Sequence, residues 1–167
     1  MDKLKVLFIC KDNSIRSQIA AAFLNTYFCD RYEAYCAGVE PSEINPRTVK
    51  VMKEIGIDIS SHCAKSIEEF RGKKSDCIIT LCDYAKGFSS CLPEHKKQLH
   101  KSFEDYCIPA FCKIAKECEI RFPGHNKPRH KGHKGLFDSK DSEEKILAAF
   151  RCLREEISEW VEKEAAF

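Results

Sequence analysis

The residues Val6-Leu7-Phe8-Ile9 form an unbroken apolar run, and Cys10-Lys11-Asp12-Asn13-Ser14-Ile15-Arg16-Ser17 follows at once. A short apolar run closed by a polar turn reads as a strand buried on both faces. Beyond it, Ile19, Ala22 and Phe23 recur at the spacing of an amphipathic helix. A buried strand passing through a tight loop into a helix restricts the chain to the α/β class. The junction is also built as an oxyanion trap. Backbone N–H groups between Cys10 and Arg16 can point inward, where the positive end of the helix dipole lies. Arg16 can grip two oxygens of a tetrahedral anion at once. The same field is expected to lower the Cys10 pKa and make it a thiolate nucleophile. The plainer alternative is a buried structural Cys and a surface Arg.

Alternation of strands and helices continues along the chain. Lys3–Cys10, Glu33–Ala37 and Cys77–Leu81 read as strands, and His100–Phe103 as a fourth. Ser17–Phe28 and Asn45–Ile55 read as helices, the second stopped by Gly56, and Ile67–Phe70 as a helical turn. A last helix begins near Asp141, a possible N-cap with Glu144 three residues on. Its stripe of Ile146, Phe150, Leu153, Ile157, Trp160 and Val161 belongs to the core. The expected fold is a three-layer sandwich, a four-stranded parallel sheet with helices on both faces.

A chain of 167 residues suits one domain, here 1–167. The formal net charge of +2 implies no nucleic-acid partner, and no apolar run is long enough to span a bilayer. The N-terminus enters a strand directly, without a signal peptide, so a reducing cytoplasmic setting is expected. In that setting the eleven cysteines read as packed thiols, redox groups or metal ligands rather than disulfides. Residues 106–135 hold Cys107, Cys112, Cys118, His125, His130 and His133 among many basic residues. Their spacings fit no compact ligand pair, so the stretch reads as a basic loop and no metal site is expected. Cys29, Cys63, Cys77 and Cys152 suggest nothing beyond packing.

Lys5–Ala20 resembles the start of the low-molecular-weight protein tyrosine phosphatases and of their relatives, the thioredoxin-coupled arsenate reductases. Both place C-x-x-x-x-x-R-S after the first strand. Ala37-Gly38-Val39, Asn45-Pro46, Val49 and Glu54–Ser60 look like the second segment of the reductase branch, and Ile79-Thr80-Leu81-Cys82 like its third strand and redox Cys. The likeness covers roughly 3–105 and resumes near 142–163, which makes 106–135 an insertion. It implies that Cys10 is the nucleophile and that Lys11, Asp12, Asn13, Ser14, Ile15, Arg16 and Ser17 form the oxyanion loop, with Asn13 and Ser17 bracing it.

The resemblance also implies a carboxylic acid that protonates the leaving oxygen. Two segments look like the family's acid-bearing strand end: His100–Asp105 and His133–Asp138. Asp105 is favoured over Asp138. Neither is followed by the family's Pro. For arsenate, the reductase branch implies a relay. Cys10 binds arsenic, Cys82 attacks the adduct, and Cys91 resolves the disulfide for thioredoxin, the expected electron donor. Cys82 could equally be a small buried hydrophobe at a strand end. Ala21 and Cys36 replace the Glu and Ser that help some relatives bind potassium, so no such site is expected. The absent Asp-Pro, and a Gly38–Asn45 loop without Trp or Tyr, weaken recognition of aryl phosphates. Arsenate reduction therefore leads, with no cofactor and a monomeric enzyme. A tyrosine phosphatase working through a phosphocysteine is the alternative. An oxyanion-binding or redox-sensing module without turnover is a third reading.

Overall fold

Val6, Leu7, Phe8 and Ile9 are all fully buried, so both faces of the first strand are covered. That requires a middle layer of sheet between two outer layers. The computed structural model of the protein describes residues 2–103 and 143–164. In order these form β1 (Leu4–Cys10), α1 (Arg16–Tyr27), β2 (Tyr32–Gly38), α2 (Pro46–Lys53), a 3-10 turn (Ile67–Phe70), β3 (Lys74–Thr80), α3 (Asp83–Lys86), a second 3-10 turn (Ser89–Cys91), β4 (Glu94–His100) and α4 (Glu143–Glu164). The four strands are parallel and lie in the order β2-β1-β3-β4. The chain leaves β1 towards one edge and then crosses back to the other. The carboxyl ends of β1 and β3 therefore flank a topological switch point, where ligands of such sheets bind.

Local chemistry sets the elements. Asn45 caps α2, its Oδ1 accepting from Arg47 N–H at 3.0 Å, and Pro46 takes the first helical position. At the far end Ile57 N–H reaches Met52 O and Gly56 N–H reaches Lys53 O, with Gly56 at φ +80°. This is a Schellman closure, and it needs the left-handed conformation that glycine adopts without strain. Helix α1 differs from the amphipathic expectation. Residues 16–22 and Leu24 are all buried, because the helix packs on β1, β2 and α4 together. Helix α4 buries its predicted stripe, apart from the half-buried Trp160, which meets Phe103 edge-on. It is tied to α2 by Arg154, whose Nη1 donates to Val51 O at 2.7 Å, and by the Arg151–Glu54 pair at 2.8 Å.

The fourth strand is not His100–Phe103 but Glu94–His100. It is an edge strand with mostly polar, exposed side chains, so it carries no apolar run. Residues 101–103 leave the sheet instead, with Lys101 N–H on Thr80 O and Phe103 N–H on Leu81 O. Phe103 then plugs the core. The expected cap Asp141 and the 106–135 stretch lie outside the described residues. No helix among the described residues is long and apolar enough to cross a membrane.

Candidate functional site

The loop from Cys10 to Arg16 turns its carbonyls outward, and each has a donor. Val39 N–H meets Cys10 O at 3.2 Å, Glu40 N–H meets Lys11 O at 2.8 Å, Ser42 N–H meets Asp12 O at 2.9 Å and Asn45 N–H meets Ser14 O at 3.2 Å. Gln18 Nε2 donates to Asn13 O at 3.2 Å, and Ile19 N–H reaches Ile15 O at 3.0 Å. A peptide's N–H points away from its C=O, so the loop's N–H groups face the concave side, forming an anion nest. The turn needs one left-handed residue, which is Asn13 at φ 54°. Asparagine tolerates that region better than most side chains. Gly38 lets the 38–45 segment come this close. A Cβ there would stand 2.9 Å from both Asn13 N and the Asp12 carbonyl carbon.

Cys10 ends β1 and is fully buried. Its Sγ accepts from Asn13 N–H at 3.2 Å and lies 2.9 Å from Ser17 Oγ. The proton on Ser17 can be assigned. Lys65 N–H donates to Asn13 Oδ1 at 2.9 Å, which fixes that atom as the amide oxygen. Asn13 Nδ2 therefore donates to Ser17 Oγ at 2.7 Å, and the Ser17 hydroxyl hydrogen is left to point at sulfur. The relay favours a negative Cys10. Burial acts the other way and prevails: it pushes the Cys10 thiol up, against the Ser17 hydrogen bond and then the Arg16 charge. The expected lowering of the Cys10 pKa is thus corrected. Desolvation of a fully covered sulfur outweighs the loop's field.

Arg16 is the first residue of α1, nearly buried, with Nη1 donating to Phe103 O at 3.3 Å. Asp12 Oδ1 accepts from Ser14 N–H at 3.2 Å and braces the turn. The Lys11 ammonium lies over the Tyr84 ring, 5.1 Å from its centre. Ile15 points into the core, so its part in the loop is played by its backbone.

Leu81 N–H donates to Ile9 O at 2.8 Å, and Ile9 pairs with Thr80 in the sheet register. Cys82 thus follows β3 at the same sheet edge where Cys10 ends the neighbouring strand. It is buried, and its Sγ caps α3 by accepting from Ala85 N–H at 3.4 Å. Sulfur is a weak acceptor, so this cap is slight. The short α3 is held down by its first turn: Tyr84 Oη donates to Glu40 Oε1 at 2.5 Å and His100 Nε2 lies 3.2 Å from Asp83 Oδ1. Cys91 sits exposed on the second 3-10 turn. Asp105 and Asp138 lie outside the described residues.

A family model described as low molecular weight phosphotyrosine protein phosphatase matches residues 5–159. The chain belongs to this family. Among curated proteins it is 39% identical over 105 residues to the arsenate reductase of Halalkalibacterium halodurans, an alignment covering 63% of this chain and 76% of that one. It is 40% identical over 105 residues to arsenate reductase 1 of Staphylococcus saprophyticus, covering 63% and 80%. Among solved structures, one described as an arsenate reductase in the phosphate binding state superposes with a TM-score of 0.68 at 25% identity, covering 98% of this chain and 97% of that one. The protein is an enzyme of this family.

The loop is held by residues outside the C-x-x-x-x-x-R-S motif. Gln18 is fully buried and spans the back of the loop, with Nε2 on Asn13 O and Oδ1 at 3.2 Å and on Cys63 O at 3.4 Å. Its Oε1 lies 3.2 Å from His62 Nδ1, which must therefore carry the proton. Its place directly after Arg16-Ser17, at the start of the helix that follows the loop, was the available signal. Tyr84 and Glu40 gave none, since 43 residues of chain separate two groups that meet across the rim.

Proposed function

We propose that the protein is an arsenate reductase working through Cys10, Cys82 and Cys91. The observation that carries the reading is the pairing of sites at one sheet edge: a caged thiol at the end of β1, and a second thiol just past the end of β3. The third thiol is exposed on a segment that a four-residue helix and one 3-10 turn hold lightly. Relatives named arsenate reductase support it.

The oxyanion binds in the Lys11–Ser17 nest, against inward N–H groups and the Arg16 guanidinium. Cys10 rests as a thiol, and a doubly charged oxyanion entering the nest takes its proton. The Cys10 sulfur then bonds to arsenic(V) and an arsenic oxygen leaves as water. The Cys82 thiolate attacks the Cys10 sulfur. The sulfur–arsenic bond breaks, its electron pair stays on arsenic, and arsenite departs. Two thiols have been oxidised to a disulfide and arsenic reduced by two electrons. Cys91 attacks Cys82, frees Cys10 and carries the Cys82–Cys91 disulfide outward, where the dithiol of thioredoxin reduces it. Asp105 is the proposed acid. Phe103 O is held by Arg16, and two further residues span at most about 7 Å. The enzyme acts as a monomeric cytoplasmic domain of 1–167, and 106–135 is an insertion in it.

The test is arsenate-dependent NADPH oxidation with thioredoxin and its reductase, for wild type, Cys82→Ser and Cys91→Ser. The reading predicts turnover lost in both variants while Cys10-dependent p-nitrophenyl phosphate cleavage persists. No arsenate turnover in wild type, with ester cleavage retained, would make the protein a phosphatase.

A further inference from the structure

Behind the oxyanion loop lies a cavity of about 280 Å³, lined by Cys36, Cys63, His62, Lys65 and Gln18 among others. It holds two thiols that the relay does not use. Cys36 is half-buried on β2, and Cys63 is exposed. Their backbones are brought together by the sheet edge. Gly38 bridges Ser66 in parallel, and its N–H donates to Lys65 O at 2.8 Å. Cys36 stands two residues before Gly38 and Cys63 three before Ser66, and both thiols line the one cavity. Burial pushes the Cys36 thiol up, the Asn13 side chain and Lys65 pull it down, and charges on Cys10 and Cys63 add to the rise.

We propose that Cys36 and Cys63 are a regulatory thiol pair whose oxidation to a disulfide switches the oxyanion loop off. The mechanical link is short. Cys63 O accepts from Gln18, and Lys65 N–H fixes the Asn13 amide that orients Ser17 on Cys10. Drawing Cys63 onto Cys36 shifts residues 63–65, and Asn13 loses its two outer braces. The proposed oxidant is a low-molecular-weight disulfide such as oxidised glutathione. The exposed Cys63 thiolate attacks it and one glutathione thiolate leaves. Cys36 then attacks the Cys63 sulfur and the second leaves. Two protein thiols become one disulfide and one glutathione disulfide becomes two thiols, so electrons balance. The inference requires Cys10 to be the loop's reactive thiol, whichever oxyanion it serves.

The test incubates the reduced full-length protein with oxidised glutathione, with inorganic phosphate present to cover Cys10. After phosphate removal, non-reducing peptide mapping locates the disulfide and iodoacetamide measures the Cys10 alkylation rate. A Cys36–Cys63 cross-link is expected, with Cys10 alkylation slowed about 10-fold as the oriented Ser17 donor is lost, and full recovery in dithiothreitol. Cys63→Ser and Cys36→Ser should each abolish the oxidant-dependent slowing, measured against the same variant's own reduced-state rate. Glutathione remaining on Cys63 without a cross-link would overturn the proposal. So would a cross-link that leaves Cys10 alkylation unchanged. Neither readout uses arsenate turnover, so this proposal and the reductase reading fail separately.

Discussion

Ser17→Ala removes the last donor in the relay Lys65 N–H to Asn13, Asn13 to Ser17 and Ser17 to Cys10, with steps of 2.9, 2.7 and 2.9 Å. The Ser17 hydrogen bond is the largest influence opposing the burial that raises the Cys10 pKa. A hydrogen bond to a charged group contributes about 1.5–3 kcal/mol, or roughly 1–2 pKa units at 1.36 kcal/mol each. At pH 7, well below the Cys10 pKa, the thiolate fraction therefore falls about 10- to 100-fold. A more basic thiolate is also a better nucleophile, with a Brønsted slope near 0.45, so the net loss of alkylation rate is about 3- to 13-fold. The assay is iodoacetamide labelling at pH 7 with Cys10 resolved by peptide mass, read as the ratio of the variant's rate to that of wild type. The variant should be slower by the factor above. An unchanged rate, or a faster one, would refute the direction assigned to the Ser17 proton.

Gly38→Ala pushes a methyl against the Asp12–Asn13 backbone, so it should cost about 1–3 kcal/mol and lower Tm by roughly 2–12 °C, measured by calorimetry with and without phosphate. Tyr84→Phe removes the hydroxyl that anchors α3 to Glu40, and labelling of Cys82 should accelerate about 2- to 12-fold in hydrogen-exchange-style alkylation. The Arg151 guanidinium holds the Glu54 carboxyl below its usual range. The stability this pair provides is present above the unfolded carboxyl's pKa and is lost as pH falls through the folded one. Glu54→Gln should therefore lower Tm by about 1–4 °C at pH 7 and by less as the pH drops through the carboxylate range, since the pair is partly exposed.

Much of this was legible in the chain because one signal served two levels. The Val6–Ile9 run marks a strand buried on both faces, and the turn after it marks the loop, so fold and site were read from the same residues. Asn45-Pro46 and Gly56 marked the ends of a helix for local steric reasons. The fourth strand escaped because Glu94–His100 lies at an edge and needs no apolar face. The sign of the Cys10 shift escaped because it depends on how deeply a sulfur is covered, and burial depth is a property of packing. Gln18, Gly38 and Lys65 act on the loop from 5 to 52 residues away, through contacts that no spacing rule records. The acid was narrowed to Asp105 or Asp138, both outside the described residues.

The relay is tested most directly by trapping its intermediate. Reduced Cys91→Ser protein mixed with one equivalent of arsenate, without thioredoxin, should release one equivalent of arsenite. It should also hold a Cys10–Cys82 disulfide in a non-reducing peptide map. Arsenite release without that disulfide, or no arsenite at all, would contradict the account.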